Sequence, residues 1–167
     1  MRTIMPNMII GQIFGIIATL VTFFSYQANT KRRILIIQTF ACIFTCIGYF
    51  FLEARSGLVL NIVCIVRNIA FYFQKEGTKA SYLSAVLFAG IMIVLGAISW
   101  QGLLSLLIII ALAANTVFLS LGKPQLLRKS ILITSSMVLI YNVFVFSIGG
   151  IANEALAIIS SIIGLVR

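Results

Sequence analysis

The chain has 167 residues, of which 62% are hydrophobic and 9% charged, with a net charge of +9. That balance excludes a soluble globular protein; at about 20 apolar residues per bilayer crossing, it leaves room for seven spans and short connections. There is no histidine and there are three acids, Glu53, Glu76 and Glu154, so no His-based triad, carboxylate dyad or His-containing metal cluster is available and no enzyme, metal site or cofactor is expected.

The first span is expected at 8–27. It is too long for the apolar core of a signal peptide, and no A-x-A site follows it. Its Gly11-x-x-x-Gly15 pattern reads as a close-packing surface for another helix. That helix belongs either to the same fold or to a second copy of the chain, which leaves a homo-oligomer open.

Span 2, at 34–52, carries Cys42 and Cys46 one turn apart. With Cys64 they read as small buried apolar residues. Span 3, at 58–74, is unusual because it carries Asn61, Arg67 and Asn68. Arg67 lies about 14 Å below the start of this span, near the midplane. An arginine there costs at least ~2.5 kcal/mol on insertion scales, so it must face protein or water. Two readings are open: a contact for an anionic or polar ligand, or a fixed pair with backbone carbonyls or Glu154. Asn61 and Asn68 are two turns apart and share a face with Cys64. They read either as the lining of a path or as interhelical hydrogen bonds.

Span 4, at 80–99, has no charged residue. Span 5, at 103–121, carries Asn115 in one half, and span 6, at 130–147, carries Asn142 in the other. Span 7, at 151–166, holds Ser161 and the one acid inside a span, Glu154. The breaks ANTKRR, EARSG, KEGTK, WQG, GKPQLLRK and IGG all contain Gly, Pro or charge, as turns between helices should. Trp100 and several tyrosines near span ends fit interfacial anchoring.

Seven spans place the termini on opposite sides. One side then collects Lys31, Arg32, Arg33, Lys75, Lys79, Lys123, Arg128, Lys129 and Arg167, and the other only Arg2 and Arg55. The excess of basic residues marks the cytoplasmic side, which puts the N-terminus outside and the C-terminus inside. The positive charge is thus explained by topology and anionic headgroups, and no nucleic-acid partner is expected.

Spans 1–3 and 5–7 have the same layout: a basic loop after the first helix and a short Gly-containing turn after the second. An offset of 93 residues sets Gly57 on Gly150, Asn61 on Glu154, Cys64 on Ala157, Arg67 on Ser160 and Asn68 on Ser161. The reading is an all-α polytopic membrane protein in a single membrane domain, 1–167. Two parallel three-helix bundles, 8–74 and 103–167, are joined by a linker helix at 80–99. Parallel repeats of this kind are a known transporter plan with sites at the repeat interface.

Gly57-x-x-x-Asn61-x-x-x-x-x-Arg67-Asn68-x-x-Phe71, preceded by Tyr49-Phe50-Phe51, resembles the Imp-YgjV family of bacterial inner membrane proteins. So do Tyr141-Asn142, Ser147-Ile148-Gly149-Gly150 and Glu154, and the likeness spans roughly 11–167. That family is distantly similar to the SWEET, SemiSWEET and PQ-loop group, which implies a transporter-like fold in the inner membrane without implying a substrate. Family members often carry His where this chain has Tyr49 and Tyr141, so a proton relay does not carry over to those positions. The Pro-Gln pair of the wider group occurs once, at Pro124-Gln125, with Tyr26-Gln27 at the comparable place in the first repeat.

The function expected is movement of a small polar or anionic molecule by rocking of the two bundles. The candidate ligand contacts are Asn61, Arg67, Asn68, Asn115, Asn142, Glu154 and Ser161, and the surrounding partner is the lipid bilayer. The other reading is an accessory or scaffold protein of the membrane, in which these groups only hold the bundle together. A path requires Asn68, Asn142 and Glu154 to converge on a cavity; a scaffold has each satisfied in dry contacts.

Overall fold

A computed structural model describes residues 4–25, 31–75, 78–121 and 124–166. They form seven helices: α1 (Ile4–Ser25), α2 (Lys31–Phe51), α3 (Arg55–Tyr72), α4 (Lys79–Ile98), α5 (Leu104–Ser120), α6 (Pro124–Phe144) and α7 (Ile148–Val166). In hydrocarbon each backbone N–H and C=O must be bonded within its own segment, so these apolar runs become helices despite their many β-branched residues. By length and composition, α1 to α4 each contain a stretch able to cross a membrane, and α5 and α7 hold shorter apolar stretches.

Two boundaries differ from expectation in a way that matters. Helix α6 starts at Pro124 rather than 130, so the basic segment read as a break is its first turns. Proline suits the first helical position, where its missing N–H would have no partner, and Gln, Leu, Arg and Lys propagate a helix well. Helix α3 starts at Arg55 rather than 58. Arg67 therefore lies about 18 Å along the helix, past its middle.

Helix α2 packs between α1 and α3, and α6 between α5 and α7. The outer helices of each row meet the other row, α1 on α7 and α3 on α5. Six helices thus close a ring, and α4 lies outside it against α3 and α5. Exchanging the two rows carries one contact, α1 on α7, onto the other, α5 on α3.

Glycines set the closest approaches. Gly11 faces Gly48 of α2, and a Cβ on Gly11 would stand 3.1 Å from the Gly48 carbonyl oxygen. Gly15 faces Gly149 of α7, where a Cβ on Gly149 would run into the Gly15 backbone. The Gly11-x-x-x-Gly15 face is therefore occupied within the chain. On α4 the buried residues Ser81, Ala85, Ala89, Met92 and Gly96 form one stripe, and Gly96 presses on Ile109 of α5.

The surface inverts the pattern of a soluble protein. Leu20, Phe24, Phe50, Leu83, Val86 and Ile133 are exposed, whereas Arg67, Asn68, Thr116 and Asn142 are buried. Such an apolar exterior fits hydrocarbon, and the polar interior sits where protein groups can bond it.

Candidate functional site

The ring encloses a cavity of about 190 Å³. Its wall includes Thr19 and Thr22 of α1, Gln38 and Cys42 of α2, Asn61, Cys64, Arg67 and Asn68 of α3, Asn115 of α5, Asn142 of α6, and Asn153 and Glu154 of α7. No residue of α4 contributes to it. Six of the seven expected contacts therefore share one space. Ser161 is buried but is not part of the wall. Its position on α7 looks toward packing rather than toward the cavity.

Where α3 and α7 begin, side chains from the two rows meet at one end of the cavity. Tyr49 Oη donates to Asn142 Oδ1 at 2.6 Å, and Tyr141 Oη accepts from the Gly57 N–H at 3.0 Å. The two tyrosine rings meet edge to face, 6.2 Å between centroids. A Cβ at Gly57 would stand 2.8 Å from the Tyr49 ring, so glycine there lets helix and ring touch. Both tyrosines are 3% exposed. Each hydroxyl thus has a partner deep in the protein, as buried tyrosines usually do. Thr19 adds a bond across α1 and α7, donating to the Gly149 carbonyl at 2.6 Å.

The helix corners behind this closure repeat each other. At the end of α2, the Ala54 N–H bonds the Tyr49 carbonyl at 2.9 Å and the Glu53 N–H bonds that of Phe50 at 3.2 Å. At the end of α6, the Ser147 N–H bonds the Asn142 carbonyl at 2.9 Å and the Phe146 N–H bonds that of Val143 at 3.2 Å. Both are Schellman caps, with left-handed residues Glu53 (φ 57°) and Phe146 (φ 55°) where glycine is usual. Each corner is gripped by a glutamine from outside its own row, Gln101 from the α4–α5 connection and Gln12 from α1. Gln101 Nε2 donates to the Glu53 carbonyl at 2.9 Å and its Oε1 accepts from the Ser56 N–H at 3.2 Å. Gln12 Nε2 donates to the Phe146 carbonyl, and its Oε1 accepts from the Ile148 N–H at 2.8 Å. Neither glutamine stood out in the sequence, where Gln101 sits in a break and Gln12 in an apolar run.

Deeper in the cavity, Arg67 is 5% exposed. Its Nη2 and Nε donate to Asn68 Oδ1 at 2.9 and 3.3 Å, and its Nη1 donates to Thr116 Oγ1 at 2.9 Å. Thr116 itself donates to the Leu112 carbonyl at 2.7 Å, one turn back, which turns its lone pairs toward Arg67. The pairing of Arg67 with Glu154 is not formed. Glu154 instead accepts from Asn153 Nδ2 at 3.1 Å and has Ser135 as a further partner. The reason is reach: Glu154 lies about 9 Å shallower, six residues up its helix from the level of Arg67, and Asn68 is adjacent. Asn61 bonds locally, Nδ2 to the Gly57 carbonyl at 2.9 Å, rather than across helices.

A polar, helix-walled cavity inside an apolar exterior is a membrane protein's arrangement, and the comparison with known families agrees. Residues 9–167 match Imp-YgjV, described as a bacterial inner membrane protein. The chain belongs to this family. Its membrane is accordingly the bacterial inner membrane, as the apolar helices require. No match was found among curated proteins or among solved structures. Sequence reasoning missed Tyr49 and Tyr141 as closing groups and Thr116 and Asn153 as partners of the charged residues. Only Tyr49 had a usable signal: its partner Asn142 lies at the 93-residue offset already used to align the two halves of the sequence.

Proposed function

We propose that this protein transports a small polar or anionic molecule across the inner membrane by alternating access between two parallel three-helix repeats, 8–74 and 103–167. The observation that carries the reading is the convergence of Asn68, Asn142 and Glu154 on one cavity lined by both rows. The equivalence of the rows is supported by their exchanged contacts and by the four cap bonds that recur at the same spacing. Helix α4 is the linker that lets the second row run parallel to the first.

With the basic face cytoplasmic, the Tyr49–Asn142 closure lies on the outer side. The conformation is then closed outward, and opening it requires the two rows to part at Tyr49, Asn142, Tyr141 and Gly57. A reporter fused after Arg167 should read cytoplasmic and a cysteine at the exposed Arg55 should label from outside; the reverse at both would invert the assignment.

A second reading, a scaffold without transport, is favoured by one feature: Arg67 is held by fixed protein contacts. Purified protein should be screened by thermal shift against a metabolite library, and compounds that stabilise it tested for accumulation in proteoliposomes. Accumulation supports transport. Stabilisers that bind yet never accumulate, or an absence of stabilisers, would leave the scaffold.

A further inference from the structure

Among the described residues, the cavity wall holds one cation, Arg67, and one carboxylate, Glu154, that do not neutralise each other. Arg67 has five N–H groups, three of which bond Asn68 and Thr116. Two remain. Asn68, 1% exposed, gives its Oδ1 to Arg67, and its Nδ2 is buried with no partner. Across the cavity, Asn153 gives its Nδ2 to Glu154, and its Oδ1 is buried with no partner.

The orientation of each amide is dictated by chemistry. A guanidinium offers only donors, so Asn68 must turn its oxygen toward Arg67; a carboxylate accepts, so Asn153 must turn its nitrogen toward Glu154. Each amide therefore keeps, as its unpartnered buried atom beside the cavity wall, the polarity of the charge it bonds. One end offers N–H donors around a cation, and the other offers oxygen acceptors around an anion. Buried polar groups left in this state are costly unless something bonds them, and buried charges are costly unless paired. A simple anion would satisfy the Arg67 end and leave the Glu154 end as it is.

We propose that the cavity takes a small zwitterion, with its anionic group on Arg67 and Asn68 and its amine on Glu154 and Asn153. The proposal rests on the transport reading for its biological setting but needs only binding to stand. Size bounds the ligand. An apolar cavity of roughly 150 Å³ accepts benzene, so the cavity of about 190 Å³ here suits a molecule of about six to nine non-hydrogen atoms, the range of a small amino acid.

The test is equilibrium binding to the purified full-length protein in nanodiscs. The probes are glycine, alanine, β-alanine and 4-aminobutanoate, a series that varies the distance between the charges. Each is paired with its methyl ester, which lacks the anion, and its N-acetyl derivative, which lacks the cation. At least one amino acid should bind, with both of its derivatives at least tenfold weaker. Glu154→Gln, nearly isosteric, should weaken the amino acid at least tenfold and leave the N-acetyl acid within twofold of its wild-type affinity. Size-exclusion and circular dichroism profiles of the variant should match wild type. The proposal is overturned if no amino acid binds, if an N-acetyl acid binds as well as its parent, or if a folded Glu154→Gln protein keeps full affinity. Uptake in proteoliposomes separates the two claims. Binding without uptake removes transport and keeps the zwitterion site, whereas uptake of a simple anion with no amino acid binding keeps transport and removes the zwitterion.

Discussion

At the corner between α2 and α3, a left-handed Glu53 is followed by Ser56 and Gly57; at the corner between α6 and α7, a left-handed Phe146 is followed by Gly149 and Gly150. The backbone bonds match, yet the side chains solve different packing problems. Ser56 Oγ donates to the Ser99 carbonyl at 2.6 Å and lies 2.9 Å from Ser105 Oγ. Its counterpart Gly149 has no side chain because the backbone of α1 occupies that space. One interface between the rows is joined by paired serine hydroxyls, the other by close backbone contact with the Thr19 hydroxyl bonded to the Gly149 carbonyl beside it. Two helix corners can thus share a backbone pattern while their side chains differ in chemistry, and at the same 93-residue offset Glu154 stands where the first row has Asn61.

The largest expected break in that comparison is Gly149→Val. Its side chain must displace the α1 backbone, which exceeds the usual overpacking cost of about 1–3 kcal/mol, so little folded protein should be recovered by size exclusion. Ser56→Ala, at the equivalent place, should cost only about 1–2 kcal/mol for its lost hydrogen bonds and remain folded.

Next in size is the Arg67 network. Arg67→Ala should destabilise strongly, since it strips partners from Asn68 and Thr116. Arg67→Lys keeps the charge but loses the planar fork, so activity should fall further than stability. A double-mutant cycle of Arg67→Lys with Thr116→Val should show a coupling of about 0.5–3 kcal/mol, as expected for residues in one network. Without ligand, a cycle of Arg67→Lys with Glu154→Gln should show a much smaller coupling; equal values would restore the direct pairing.

The closure follows. Tyr49→Phe leaves Asn142 Oδ1 without its donor, and Tyr141→Phe leaves the Gly57 N–H without its acceptor. Each should lower stability by about 1–3 kcal/mol, and each should raise the labelling rate of the native Cys64, a buried thiol in the cavity wall, measured in a Cys42→Ala, Cys46→Ala background. An unchanged labelling rate in both variants would argue against this closure as a gate.

The smallest effects sharpen the comparison of the two caps. Glu53→Gly and Phe146→Gly relieve a left-handed conformation that disfavours side chains by roughly 1–2 kcal/mol, offset by about 0.5–1 kcal/mol of extra chain entropy. Each should raise thermal stability slightly and by a similar amount. A gain at one corner and a loss at the other would show that Phe146, exposed toward the surroundings, contributes through its ring.

Local patterns accounted for much of the molecule. Unbroken apolar runs specify helices wherever the backbone cannot bond to solvent, so seven helices and their approximate limits were readable from hydropathy alone. The polar interruptions Asn61, Arg67, Asn68, Asn142 and Glu154 were readable for the same reason: a costly residue in hydrocarbon must turn inward. The early start of α6 was obscured because charge reads as a break, although Pro124 is a good opening residue. Partner choice was a different matter. Whether Arg67 met Glu154, Asn68 or Thr116 depended on side-chain reach, helix level and rotation between rows. So did the meeting of Tyr49 with Asn142 and the absence of Ser161 from the cavity. These are distances between elements far apart in the chain. Periodicity determines which face of a helix is polar; only the packing of α1 on α7 and α3 on α5 decided which polar groups share a space.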